Sequence, residues 1–178
     1  KLVKESKDIF DIRKMAAGKK YTVFCTNDSI EKARYFVYQP TAKDYVVFDI
    51  GDSAVSAYTG EKEVEIIEQS VSGTISSSLY ESLIDANASA KLAVELASIY
   101  AWTIDFYRIQ KGDGFKIIYN ERFIEGESIG AGKIKAAIFN HNGDDYYAFY
   151  FNQNGVGDYF DEKGNSLRKA FLKAPLKF

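Results

Sequence analysis

Alternating apolar and polar positions run through most of this chain, and they predict strands more often than helices. Residues 21–25, 33–39, 45–50, 55–58 and 64–69 are each rich in β-branched or aromatic side chains. Turn formers bound them at Pro40 to Asp44, at Gly51-Asp52 and at Thr59-Gly60. Strands recurring about every ten residues predict an antiparallel meander. Ahead of them Leu2, Val3, Ile9 and Ile12 fall loosely at helical spacing, so residues 1–15 are expected to form a helix or helical tail.

The period then changes. Ser77-Ser78 precede Leu79, and Glu81 stands three residues after Ser78, the capping-box pattern that opens a short helix to about Ala86. A second helix is expected over about 89–102, because Leu92, Leu96, Ile99, Tyr100 and Thr103 form one stripe. Lys111-Gly112-Asp113-Gly114 breaks into a second β region, with strands over 115–123, 132–140, 146–151 and 157–160. Asn142-Gly143 marks a hairpin, since both central residues of a type I′ turn need φ > 0, and Asn154-Gly155 reads the same way. The expected fold is α+β: two small antiparallel β domains, 1–70 and 71–178, joined by a helical hairpin.

Composition narrows the function. At 178 residues and 46% hydrophobic, the chain holds enough apolar surface for one ordinary domain or two small ones. A net charge of −2 argues against a nucleic-acid partner. No run approaches the ~18 apolar residues of a membrane-spanning helix, so no transmembrane segment is expected. The lone cysteine, Cys25, is expected as a small buried hydrophobe in its strand.

Candidate chemistry is sparse. A catalytic zinc site needs three protein ligands and an open position, and this chain offers one histidine and one cysteine. No catalytic residue and no metal ligand is therefore predicted. His141 is expected as an exposed turn histidine beside Asn142-Gly143, with Asp144 and Asp145 nearby. Ser76-Ser77-Ser78 are explained by helix capping rather than by nucleophilic chemistry. Gly130-Ala131-Gly132 leads into a strand and lacks the helix N-terminus that binds phosphate. Asp158, Asp161 and Glu162 do not follow the calcium-loop pattern and read as a solvated turn. The candidate interaction surface is Tyr146, Tyr147, Phe149 and Tyr150. In a strand Tyr146, Ala148 and Tyr150 point one way, and Tyr147, Phe149 and Phe151 the other. One face must be core. The other is free for another domain, for the docking of a catalytic domain or for a glycan platform.

Several ordered motifs carry a resemblance. Ile99-Tyr100-Ala101-Trp102-Thr103-Ile104-Asp105-Phe106, Lys111-Gly112-Asp113-Gly114-Phe115, Ile129 to Ala137 and Tyr159 to Ser166 follow one another before Ala170-Phe171-Leu172-Lys173-Ala174-Pro175-Leu176. This series resembles the region preceding the catalytic domain in Gram-negative, Bacteroidetes-like M23-type peptidoglycan metallopeptidases. It covers roughly residues 74–178. Residues 12–24 are similar to the closing part of a LysM-like module. The family's zinc ligands lie in an HxxxD segment and an HxH segment, and this chain holds neither.

The resemblance implies the non-catalytic regulatory or targeting region of a cell-wall zinc endopeptidase, one that positions or occludes the catalytic domain. It implies no cofactor in this chain, with zinc in the catalytic domain. Its implied partners are that domain and peptidoglycan, in the periplasm or cell envelope. A stand-alone peptidoglycan- or carbohydrate-binding module is the alternative. The motifs themselves look structural: Gly112, Gly130, Gly132 and Gly164 suit turns or close backbone approach, and Asp105 suits a turn anchor.

Overall fold

A computed structural model describes residues 6–51 and 55–168. The closing string from Lys169 onwards, the first five residues and most of the Gly51–Ala54 connection lie outside the described residues. The chain divides into two compact units. One comprises residues 1–65 with the hairpin tip Phe123–Ile129, and the other comprises Ile66–Arg122 with Gly130–Phe178.

The first unit is a four-stranded antiparallel meander, β1 (Lys20–Cys25), β2 (Ala33–Gln39), β3 (Asp44–Ile50) and β4 (Val55–Glu61), in that spatial order. Its core is small. Tyr38, Val46, Phe48 and Ala57 are buried, and Phe10, Ile12, Met15 and Phe36 pack against them. The Tyr38 hydroxyl accepts the Ala16 backbone N–H at 3.0 Å, which ties the N-terminal segment to the sheet. That segment is not the expected helix: within the described residues it holds a single 3-10 turn, Ile12–Lys14, capped by Asp11. Four apolar residues loosely spaced do not make a stripe long enough to propagate a helix against its nucleation cost.

Two further expectations change here. Thr59-Gly60 is not a turn, because β4 runs on to Glu61. Gly60 pairs with Tyr45, whose ring covers the space where a Cβ would stand. Cys25 is exposed, because β1 is an edge strand with all six residues exposed.

The second unit is a five-stranded antiparallel meander, β5 (Glu65–Thr74), β6 (Gly114–Ile124), β7 (Glu127–His141), β8 (Asp144–Gln153) and β9 (Val156–Phe160). The strand expected to close the first meander thus opens the second sheet instead. Two short helices, α1 (Leu79–Asp85) and α2 (Lys91–Ile99), lie between β5 and β6. They are an insertion within one sheet, not a link between two. Ser78 caps α1, its Oγ accepting the Glu81 N–H at 3.1 Å, as the sequence pattern indicated.

Helix and sheet share one core. Leu79, Leu83, Leu92, Leu96 and Ile99 pack with Ile117, Ile134, Phe139 and Ala148. Tyr100, fully buried, sets its hydroxyl between the carbonyls of Ala137 at 3.1 Å and Tyr146 at 2.9 Å. One proton is thereby aimed at two acceptors on neighbouring strands, and burial holds the phenol well above its ordinary range. Two-residue turns with both φ positive join the strands at Glu125-Gly126, Asn142-Gly143 and Asn154-Gly155.

Candidate functional site

The alternation read along β8 sorts its side chains onto two faces. Tyr146 and Ala148 face inward: Ala148 is fully buried, and Tyr146 packs against the core. Tyr150 shares that face. It lies edge-on to Tyr159, with ring centroids 5.4 Å apart, and the Lys133 ammonium sits 3.8 Å from its centroid. The Tyr159 hydroxyl donates to the Ile134 carbonyl at 2.9 Å, and burial first, then Glu95 and Tyr150, pushes its phenol up to about 12.

Tyr147, Phe149 and Phe151 face outward. Tyr147 and Phe149 are stacked, with centroids 6.2 Å apart and planes 13° from parallel. Register places Ala136 beside Phe149 and Ile138 beside Tyr147 on β7, with Phe160 beside Phe149 on β9. Together with Ile118 they give the outer face an apolar band. A shallow groove of about 440 Å³ runs along it, lined among others by Ser70, Ser72, Ile118, Ala136, Ile138 and Phe149. Phe149 is 44% exposed and Phe151 58%. Of the four residues named from sequence, Tyr147 and Phe149 belong to this outer face, while Tyr146 and Tyr150 serve the core side.

His141 is not an exposed turn residue. It ends β7, and its side chain is mostly buried against Asp113, with Nδ1 2.7 Å from Oδ2. The Asn142 side-chain amide lies 3.1 Å from Nε2. With that amide donating to Nε2, Nδ1 carries the proton and donates to Asp113. Asp113 also accepts the backbone N–H groups of Gln110 at 2.7 Å and Asn142 at 3.2 Å. Burial opposes ionisation of Asp113, but these hydrogen bonds outweigh it and hold the carboxyl below its usual range. Both imidazole nitrogens are engaged, so the pair works as a clasp between the 110–113 turn and the β7–β8 hairpin. The partners are 28 residues apart, and no local spacing signals them.

Sequence reasoning also missed the loop after α2. The helix ends at Ile99 with Tyr100 as its C-cap at φ −95° and ψ 11°, and the N–H groups of Thr103 and Ile104 in the turn that follows both reach the Tyr100 carbonyl at 2.8 Å. That turn carries Trp102 out to the surface, 50% exposed, and Tyr107 projects fully into solvent. Asp105 anchors the loop as expected, accepting the Tyr107 N–H at 3.0 Å. Asp161 likewise closes its own turn, accepting N–H groups from Lys163 and Asn165 at 2.9 and 2.7 Å. Among the described residues no group of three His, Cys, Asp or Glu side chains stands ready to hold a metal ion. No described helix is long and apolar enough to cross a membrane.

Two helices seated on one face of a five-stranded antiparallel meander, with the β7–β8 hairpin clasped to the turn before β6, define an α+β domain. The chain belongs to the family described as Csd3 second domain, which matches residues 63–177. It is 35% identical over 141 residues to the peptidoglycan DD-endopeptidase ShyC of Vibrio cholerae, covering 78% of this chain and 32% of that protein. An uncharacterized metalloprotease of Haemophilus influenzae is 23% identical over 168 residues, covering 94% of this chain and 34% of that protein. The chain therefore spans about a third of the length of these curated relatives. Among solved structures, Helicobacter pylori Csd3 superposes with a TM-score of 0.62 at 20% identity, over 82% of this chain and 39% of that one. A zinc-containing peptidase from Vibrio cholerae gives 0.60 at 21%, over 95% and 51%. These two likenesses show the fold. The family match agrees with the resemblance read from the sequence.

Proposed function

We propose that this chain is the non-catalytic region of a zinc-dependent peptidoglycan endopeptidase of the cell envelope, and that it positions or occludes the catalytic domain. The observation that carries the reading is the outer face of the second sheet. Ile118, Ile138, Tyr147, Phe149 and Phe151 form an apolar band on a chain that spans about a third of its relatives. Monomeric proteins seldom leave contiguous apolar patches beyond a few hundred Å² uncovered. The remainder of a longer parent supplies a cover for this one. The zinc and its ligands belong to that remainder, and this chain's contribution is a rigid, preshaped surface.

The test is binding in trans. The separately produced catalytic domain of the parent is titrated with this chain by calorimetry. Saturable binding that Phe149→Glu weakens supports the reading. Absence of binding with both partners folded, or binding indifferent to Phe149→Glu, overturns it.

A further inference from the structure

Beyond β9 the chain does not leave the sheet. It turns at Asp161 and comes back along the strand's outer edge. The Asp161 N–H reaches the Asn165 carbonyl and the Leu167 N–H the Tyr159 carbonyl, both at 2.9 Å, around an antiparallel bridge between Phe160 and Ser166. Residues 166–168 thus cover the edge that β9 would otherwise expose. Leu167 turns inward and packs against the helix-covered core. Ser166 and Arg168 fall on the opposite side. Asp158 pairs with Phe151 and Phe160 with Phe149, so that side is the outer face with its apolar band.

Asp158 ties the returning segment down. Its Oδ2 accepts the Ser166 hydroxyl at 3.0 Å, and its Oδ1 lies 3.1 Å from Arg168 Nε. Oδ1 also accepts the Tyr159 backbone N–H at 2.9 Å, which fixes the carboxylate on β9. The Arg168 N–H in turn donates to Ser166 Oγ at 3.1 Å. An exposed ion pair holds little by itself. Here one carboxylate gathers a hydroxyl and a guanidinium from the returning segment, and the Leu167 side chain anchors the residue between them.

We propose that this strap is a latch on the chain's way out of the domain, with Asp158 as its positioning residue. It fixes where the tether to the catalytic domain begins, at the rim of the apolar band. The inference rests on the reading above that a catalytic domain of the longer parent meets that band. A tethered domain meets its partner surface at an effective concentration set by tether length. A strap pinned to β9 keeps residues 161–168 out of that length. Release adds them as slack, so docking weakens although the band itself is untouched.

Two measurements test the latch: native-state hydrogen exchange of this chain, and hydrolysis of cross-linked peptidoglycan by the full-length parent. Asp158→Ala is expected to speed exchange of the Leu167 amide about tenfold, while the amides of Phe139 and Ala148 in the core keep their protection. In the parent it is expected to shift the hydrolysis rate about threefold, in the same direction as Phe149→Glu and by less. Added to Phe149→Glu it is expected to change nothing further, because both act through one docking contact. Arg168→Ala, at a side chain 74% exposed, leaves the fold intact and gives a smaller shift of the same sign. Unchanged Leu167 exchange, faster exchange with an unmoved hydrolysis rate, or effects of Asp158→Ala and Phe149→Glu that simply add would each overturn the inference. A parent that responds to Phe149→Glu but not to Asp158→Ala loses the latch and keeps the docking face. One that responds to neither loses both.

Discussion

The two sheets solve the same problem unequally. The second folds two helices onto its inner face and buries Leu83, Leu92, Leu96, Tyr100 and Phe139 completely. Among the described residues the first has no α-helix to cover it, and its core is built on Tyr38, Val46, Phe48 and Ala57 with a few partly buried neighbours. One whole edge strand, β1, stays exposed. An antiparallel sheet needs one covered face to be stable in isolation. The contrast teaches that the second unit carries the larger, helix-covered core and the first is the softer element.

The sharpest way to break this comparison is to cut into each core. Leu96→Ala should cost about 2–5 kcal/mol, because the residue is fully enclosed between α2 and the sheet. Urea denaturation of the second unit's signals would check it. A loss well below that range would mean that the helices are not seated as described. Val23→Ala in β1, on an exposed edge, should stay within about 0.5 kcal/mol.

The clasp comes next. Removing His141 with Ala leaves Asp113 short of a partner and should cost about 1–3 kcal/mol. The pH dependence has a definite sign. Asp113 has a folded pKa below its unfolded one, so its contribution is present above the unfolded value and is lost as pH falls through the folded one. Asp113→Asn should therefore flatten the acid limb of a stability–pH curve. A curve whose acid limb is unchanged would count against the clasp.

Smaller effects test local devices. Ser78→Ala should cost about 1 kcal/mol through loss of the α1 cap, read as a drop in melting temperature. Native-state hydrogen exchange should find the amides of β1 less protected than those of β7, since edge and core strands open with different free energies.

Much of this architecture was legible in the sequence, and the failures have physical causes. The β8 alternation and the Asn142-Gly143 turn were readable because both are local. The faces of Tyr147 and Phe149 followed from a period of two. The Glu125-Gly126 turn was not anticipated, since glutamate at φ 54° has no local signature. Membership of β5 in the second sheet depends on pairing with β6, some forty residues on, past two helices. Cys25 is exposed because β1 is an edge, and a strand's own residues do not declare that. Trp102 lay inside the expected helix, but the helix ends at Ile99 with Tyr100 as its C-cap, three residues short of the expected end.

The most direct test of the account is hydrolysis of cross-linked peptidoglycan by the full-length parent, with and without Phe149→Glu and Ile138→Glu on the outer sheet face. A face that occludes the catalytic domain predicts faster cleavage in the double variant, and one that positions it predicts slower cleavage. An unchanged rate, with both proteins equally folded, would contradict the claim that this face meets the catalytic domain.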